Sequence, residues 1–136
     1  ALGDKLGWGK QNAALNSEGY VGTNLYSPQK TTAADVALLL ERLYKGELLE
    51  PGTSLLYLTH LKQQRVNNRL PLGLPAGTVI AHKTGDLQGY LHDAGIVYSP
   101  GGDYIIVMTS GPWKSGAQGV SKFIELSRIV YTHFNP

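Results

Sequence analysis

The sequence predicts an α+β fold: an antiparallel sheet with flanking helices. Three observations carry that prediction. Two stretches with helical spacing come early, "TTAADVALLLERLYKG" and "PGTSLLYLTHLKQQ". Three short, β-branched runs follow with no helical pattern between them, at residues 78–84, 90–98 and 104–109. A last amphipathic stretch, "SGAQGVSKFIELSRIVYTHF", closes the chain. Helices grouped apart from the strands, and not alternating with them, mark α+β architecture.

Taken in order, residues 9–30 show no sustained periodicity and are rich in Gly and Asn, so 1–30 read as a loop region. So long a loop inside a compact domain is commonly functional. The next segment changes character. Thr31 or Thr32 can cap a helix whose apolar positions are Val36, Leu39, Leu40 and Leu43, and Gly46 stops it. Pro51 suits the first turn of a second helix, with Leu55, Leu58 and Leu61 at helical spacing. The two helices occupy 31–64. Pro71, Pro75 and Gly77 punctuate a connector over 65–77.

The three strands then occupy 78–109, and the "SPGGD" between the last two is a hairpin turn. Val120, Phe123, Ile124, Ser127, Val130 and Tyr131 form a stripe on a terminal helix over 115–133, able to cover one sheet face. Nothing in this inventory covers the sheet's edge, and an open edge invites pairing. The chain therefore reads as a single partial domain. The edge calls for a missing part.

Composition narrows the function classes. A net charge of +2, with no basic helix face, argues against nucleic acid. Trp8, Tyr20, Tyr26 and Trp113 are scattered and make no base-stacking platform. The absence of cysteine excludes disulfides and thiolate metal sites. No apolar run approaches a membrane span, and the start "ALGDKLGWGK" shows no signal peptide.

The most informative triplet is "KTG" at Lys83, Thr84 and Gly85. In "TVIAHKTG", Val79, Ala81 and Lys83 share one strand face while Ile80, His82 and Thr84 share the other. The strand is expected to end at Gly85 and open into a tight turn. A lysine charge, a hydroxyl and an accessible backbone there suit a carboxylate-bearing substrate laid along a strand edge. The alternative is an exposed turn with a snorkelling lysine. A phosphate loop is excluded, because it needs Gly before the Lys and a helix after. His82, His92 and Asp93 could suggest zinc, but no helical HExxH or Cys partner accompanies them. No metal or other cofactor is expected.

The stretches "SPQKTTAADVALLLERLYKGELL", "NNRLPLGLPAGTVIAHKTG" and "HDAGIVYSPGGDYIIVMTSG" resemble the C-terminal half of a class A β-lactamase. That family belongs to the penicillin-recognising serine hydrolases, with the DD-peptidases. The resemblance covers roughly residues 24–134 and includes "KTG", the family's third motif. It implies that Lys83 and Thr84 hold a substrate carboxylate, that Gly85 lets the substrate lie close, and that Asp86 lends its backbone N–H to an oxyanion hole. It implies an arginine supporting the carboxylate pocket. The family places it on the strand after the KTG turn, where this chain has His92, or on the preceding connector, where Arg69 falls.

The implied substrate is a β-lactam or a D-Ala-D-Ala-like small molecule, and the implied location is periplasmic or secreted. The resemblance also implies that the partner at the sheet's edge is a missing N-terminal half, or a second copy of the chain in its place. The family's Ser-x-x-Lys is matched in spacing only by Ser27 in "SPQK", a loop segment read as a chance match; Ser-Asp-Asn is absent. Laying the family's Glu-x-x-Leu-Asn on "NAALN" puts Asn12 where the deacylating Glu belongs. Glu18 is then the one acid in 9–30 and a possible general base.

Overall fold

A computed structural model of the chain describes residues 5–136. Helix α1 spans Trp8–Ser17, α2 Ala33–Lys45 and α3 Pro51–Lys62. A single 3-10 turn at Leu70–Gly73 leads into strands β1 (Val79–Leu87), β2 (Tyr90–Tyr98) and β3 (Tyr104–Thr109), and α4 (Gly116–Phe134) ends the chain. The sheet is antiparallel in the order β1-β2-β3. This is the α+β arrangement predicted.

Both faces of the sheet are covered. On one, Ile80, Val97, Tyr104 and Ile106 pack with Leu70 of the 3-10 turn and with Val130 and Tyr131 of α4. On the other, Ala81 and Ile96 pack with Leu40 of α2 and with Leu58 and Leu61 of α3. Burying a side chain such as Leu70 or Leu40 contributes about 2 kcal/mol. Helix α2 forms where its caps allow: Thr32 accepts from the Asp35 N–H at 3.1 Å, and Gly46 closes the helix at φ 72°. Leu55 is 65% exposed, so the α3 stripe reaches the core only through Leu58 and Leu61.

Two expectations need correction. Residues 9–30 are not all loop, because α1 occupies the first part of them. No α1 side chain is buried and no side chain caps it; Asn12 holds it to the following loop, donating to Asn24 Oδ1 and accepting from the Leu25 N–H. A helix without an apolar stripe leaves no periodic signal. Second, β1 does not stop at Gly85 but runs on to Leu87. The turn is Gln88–Gly89, with φ of 42° and 89°. Two left-handed residues are what a two-residue type I′ hairpin requires. Lys83, Thr84 and Gly85 therefore lie within a strand, on an edge, and not at its tip.

Candidate active site

The register of the first hairpin places Lys83 opposite Ala94, Thr84 opposite Asp93, Gly85 opposite His92 and Asp86 opposite Leu91. Leu91 spends its backbone on the β3 side: its N–H reaches Ser110 Oγ at 3.2 Å and its carbonyl accepts from that hydroxyl at 2.8 Å. Asp86 and Leu91 are thus a non-hydrogen-bonded pair, and the Asp86 N–H points to the open edge of β1. Thr84, two residues earlier, presents its carbonyl to the same edge, where it accepts from Lys83 Nζ. Lys83 is exposed, so the desolvation problem of a buried lysine does not arise. No carboxylate pairs with it among the described residues.

Lys83, Thr84 and Gly85 form one end of an open cavity of about 1210 Å³ between α2, α3 and the sheet. Its body is lined by leucines such as Leu39, Leu43 and Leu49, and by Val107 and Met108 of β3. His92 lies in the same wall. A Cβ on Gly85 would stand 3.4 Å from that of His92, ordinary contact, so Gly85 leaves the strand edge open without being sterically required. His92 Nδ1 accepts from the Ser110 N–H at 3.3 Å, which leaves its proton on Nε2 when the ring is neutral.

Arg69 sits on the connector side, against β1. It is 2% exposed and donates to the His92 carbonyl at 2.9 Å, and it forms an ion pair with the Asp86 carboxylate. Its Nε is buried without a partner. The connector is held in place by His82 and Asp93, set aside above as metal ligands, together with Asn67. His82 Nδ1 lies 2.9 Å from Asp93 Oδ1, and its Nε2 lies 2.9 Å from Asn67 Oδ1. The other Asp93 oxygen accepts from the Leu70 N–H at 3.2 Å. Asn67 Nδ2 donates to the Gln64 carbonyl, which fixes its oxygen toward His82.

Gly95, opposite His82, makes room for the imidazole, since a Cβ there would fall 2.7 Å from that of His82. Gly73 lets the 3-10 turn lie flush on α4, where Ser127 Oγ donates to the Leu70 carbonyl at 2.8 Å. The whole assembly delivers Arg69 to the β1 face that carries Thr84 and Asp86.

Glu18 is elsewhere. It is 68% exposed, pairs with Arg42 at 3.3 Å and does not line the cavity. Ser27 is exposed and also outside it, although Gln29 and Lys30 reach the cavity's wall. The structure therefore brings Lys83, Thr84, Gly85, Asp86, Arg69 and His92 together and leaves Glu18 apart. The feature that sequence reading misses is the buried His82–Asp93–Asn67 network. Its only sequence signal is an ionisable residue inside each of two apolar strands.

The site is thus a three-stranded antiparallel sheet with helices on both faces, carrying a lysine–hydroxyl–glycine triplet on a strand edge that is free among the described residues. The sequence profile described as the beta-lactamase enzyme family matches residues 1–134, and the chain belongs to that family. Among solved structures, PBP-A aligns over 98% of this chain with a TM-score of 0.85 and 30% identity, and 54% of its own length is covered. A variant of PBP-A, an acyl-enzyme complex with penicillin G, aligns over 97% of the chain at 31% identity and TM-score 0.85, with 53% of its own length covered. A class A β-lactamase from Mycobacterium abscessus aligns over 99% of the chain at 21% identity and TM-score 0.79, with 58% covered, which speaks to fold alone. The chain thus spans a little over half the length of these structures. No curated protein matches it.

Proposed function

We propose that this chain carries the substrate-binding edge of a class A β-lactamase-like serine hydrolase. A serine outside the residues matched here attacks the lactam carbonyl, the C–N bond breaks, the proton passes to the nitrogen, and water then hydrolyses the acyl ester. Lys83 and Thr84 hold the substrate carboxylate, Gly85 admits the substrate, Arg69 supports the pocket, and the Asp86 N–H donates to the oxyanion. One observation carries the reading: Lys83 without an acid partner, beside an outward-facing Asp86 N–H, on a free strand edge. The proposed setting is periplasmic or secreted; no helix among the described residues is long and apolar enough to cross a membrane.

A second reading rests on a specific observation. Asn12, where the family's deacylating Glu would fall, spends its amide on Asn24 and Leu25, and Glu18 stands outside the cavity. Acylation without rapid hydrolysis, as in a DD-peptidase or a penicillin-binding sensor, follows if no other acid serves the water.

The test is intact-mass analysis after incubation with benzylpenicillin. The 136-residue chain alone should form no adduct and should not turn over a chromogenic cephalosporin. With the serine-bearing half present, an adduct on that half is expected, and its lifetime separates hydrolase from slow acyl-enzyme. An adduct on Ser27 would make that serine the nucleophile and refute the assignment.

A further inference from the structure

We propose that Asp86 determines the charge preference of this site: its carboxylate occupies the Arg69 guanidinium in the free protein, and a ligand carboxylate must displace it. The inference rests on reading β1 as the substrate-binding edge.

Strand alternation puts Thr84 and Asp86 on one face of β1, two residues apart. Arg69 is 2% exposed while its partner Asp86 is 55% exposed. One guanidinium nitrogen is committed to the His92 carbonyl and another to the Asp86 carboxylate. The third guanidinium nitrogen, Nε, is buried without a partner. The arginine therefore meets solvent from beneath a side chain that already bears the charge a substrate would offer. A buried guanidinium needs a counter-charge, and Asp86 supplies it.

The consequence is directional. A ligand carboxylate approaching the Thr84 hydroxyl finds Lys83 open but Arg69 taken, and it meets a like charge at Asp86. Two carboxylates at one site repel. Displacement remains feasible because Asp86 is half in water and loses little by turning outward. The site is thereby tuned away from the strongest anion binding that its two cations could give together. Ligands that place a neutral or cationic group at Asp86 escape the penalty.

Wild type, Asp86→Asn and Asp86→Ala are compared with the serine-bearing half present, using two readouts. The first is the thermal midpoint with saturating N-acetyl-D-alanine or its uncharged amide. Both variants should melt below wild type. The carboxylate probe should raise their midpoints by roughly 2–4 °C, and the amide should not. Wild type should respond to the carboxylate by less than either variant, and not to the amide. The second readout is the ratio of acylation rate constants for benzylpenicillin and its methyl ester, which should rise about tenfold in both variants.

Equal rescue by carboxylate and amide, or no rescue, overturns the proposal, as does an unchanged ratio in proteins that acylate. Carboxylate-specific rescue without acylation in any of the three proteins leaves the Asp86 assignment standing and removes the acyl-transfer reading. Asp86→Asn keeps the side chain's shape and carries the test where Asp86→Ala folds poorly.

Discussion

Tyr104 shows how one residue's environment becomes a measurable property. It opens β3, is buried in the core against Leu70 and Ile106, and stacks on Phe134 with ring centroids 4.5 Å apart. Its hydroxyl has no hydrogen-bond partner. Burial, with a smaller contribution from Tyr131, pushes its pKa up to about 12. The folded state therefore holds the phenol proton more tightly than the unfolded chain does. Stability from this group is complete below the unfolded value near 10 and is lost as pH rises toward 12. Melting curves across pH 9–12 should show a steeper alkaline loss in wild type than in Tyr104→Phe. Below pH 10 that substitution should cost little, because an unpartnered buried hydroxyl contributes nothing by hydrogen bonding. Equal alkaline slopes would contradict the account of Tyr104.

Between elements, the His82–Asp93–Asn67 network joins β1 and β2 to the connector that carries Arg69. Replacing Asp93 by Ala leaves the His82 ring and the Leu70 N–H buried without their acceptor. The expected loss is about 3 kcal/mol or more in chemical denaturation, and a loss below about 1 kcal/mol would show that the network is not a structural tie. This is also where the sequence is least legible. Helix α2 announces itself through Thr32, Gly46 and a leucine stripe, and β2 and β3 through β-branched runs. Lys83 and Thr84 stand out because a charge and a hydroxyl interrupt such a run. Helix α1 leaves no trace, since Gly9, Asn12 and Asn16 are poor helix formers and tertiary contacts hold it. Gly85 reads as a stop, yet a glycine inside an edge strand is compatible with continued pairing, and the true turn is marked only by Gln88–Gly89. The Arg69–Asp86 pair joins residues 17 positions apart, and no local pattern encodes it.

For the whole molecule, the decisive feature is surface that ought to be covered. β3 pairs with β2 alone among the described residues, so its outer edge is free. That edge continues into the leucine-lined cavity, and Leu39, Leu49 and Tyr57 of its wall are exposed. An apolar, β-branched edge beside an open apolar wall invites another strand. The proposed occupant is the serine-bearing half, with a second copy of the chain as substitute in its absence. Light scattering of the isolated chain across concentration should report self-association or aggregation. A soluble, cooperatively folding monomer would count against this account.

The central claim is that Lys83 and Thr84 grip a substrate carboxylate on the edge of β1. Its most direct test is the acylation rate constant for benzylpenicillin in wild type and Lys83→Ala, measured with the serine-bearing half present. The barrier should rise by about 2 to 4 kcal/mol in the variant, because the cation without an acid partner on that edge is gone. Acylation at the wild-type rate would contradict the claim.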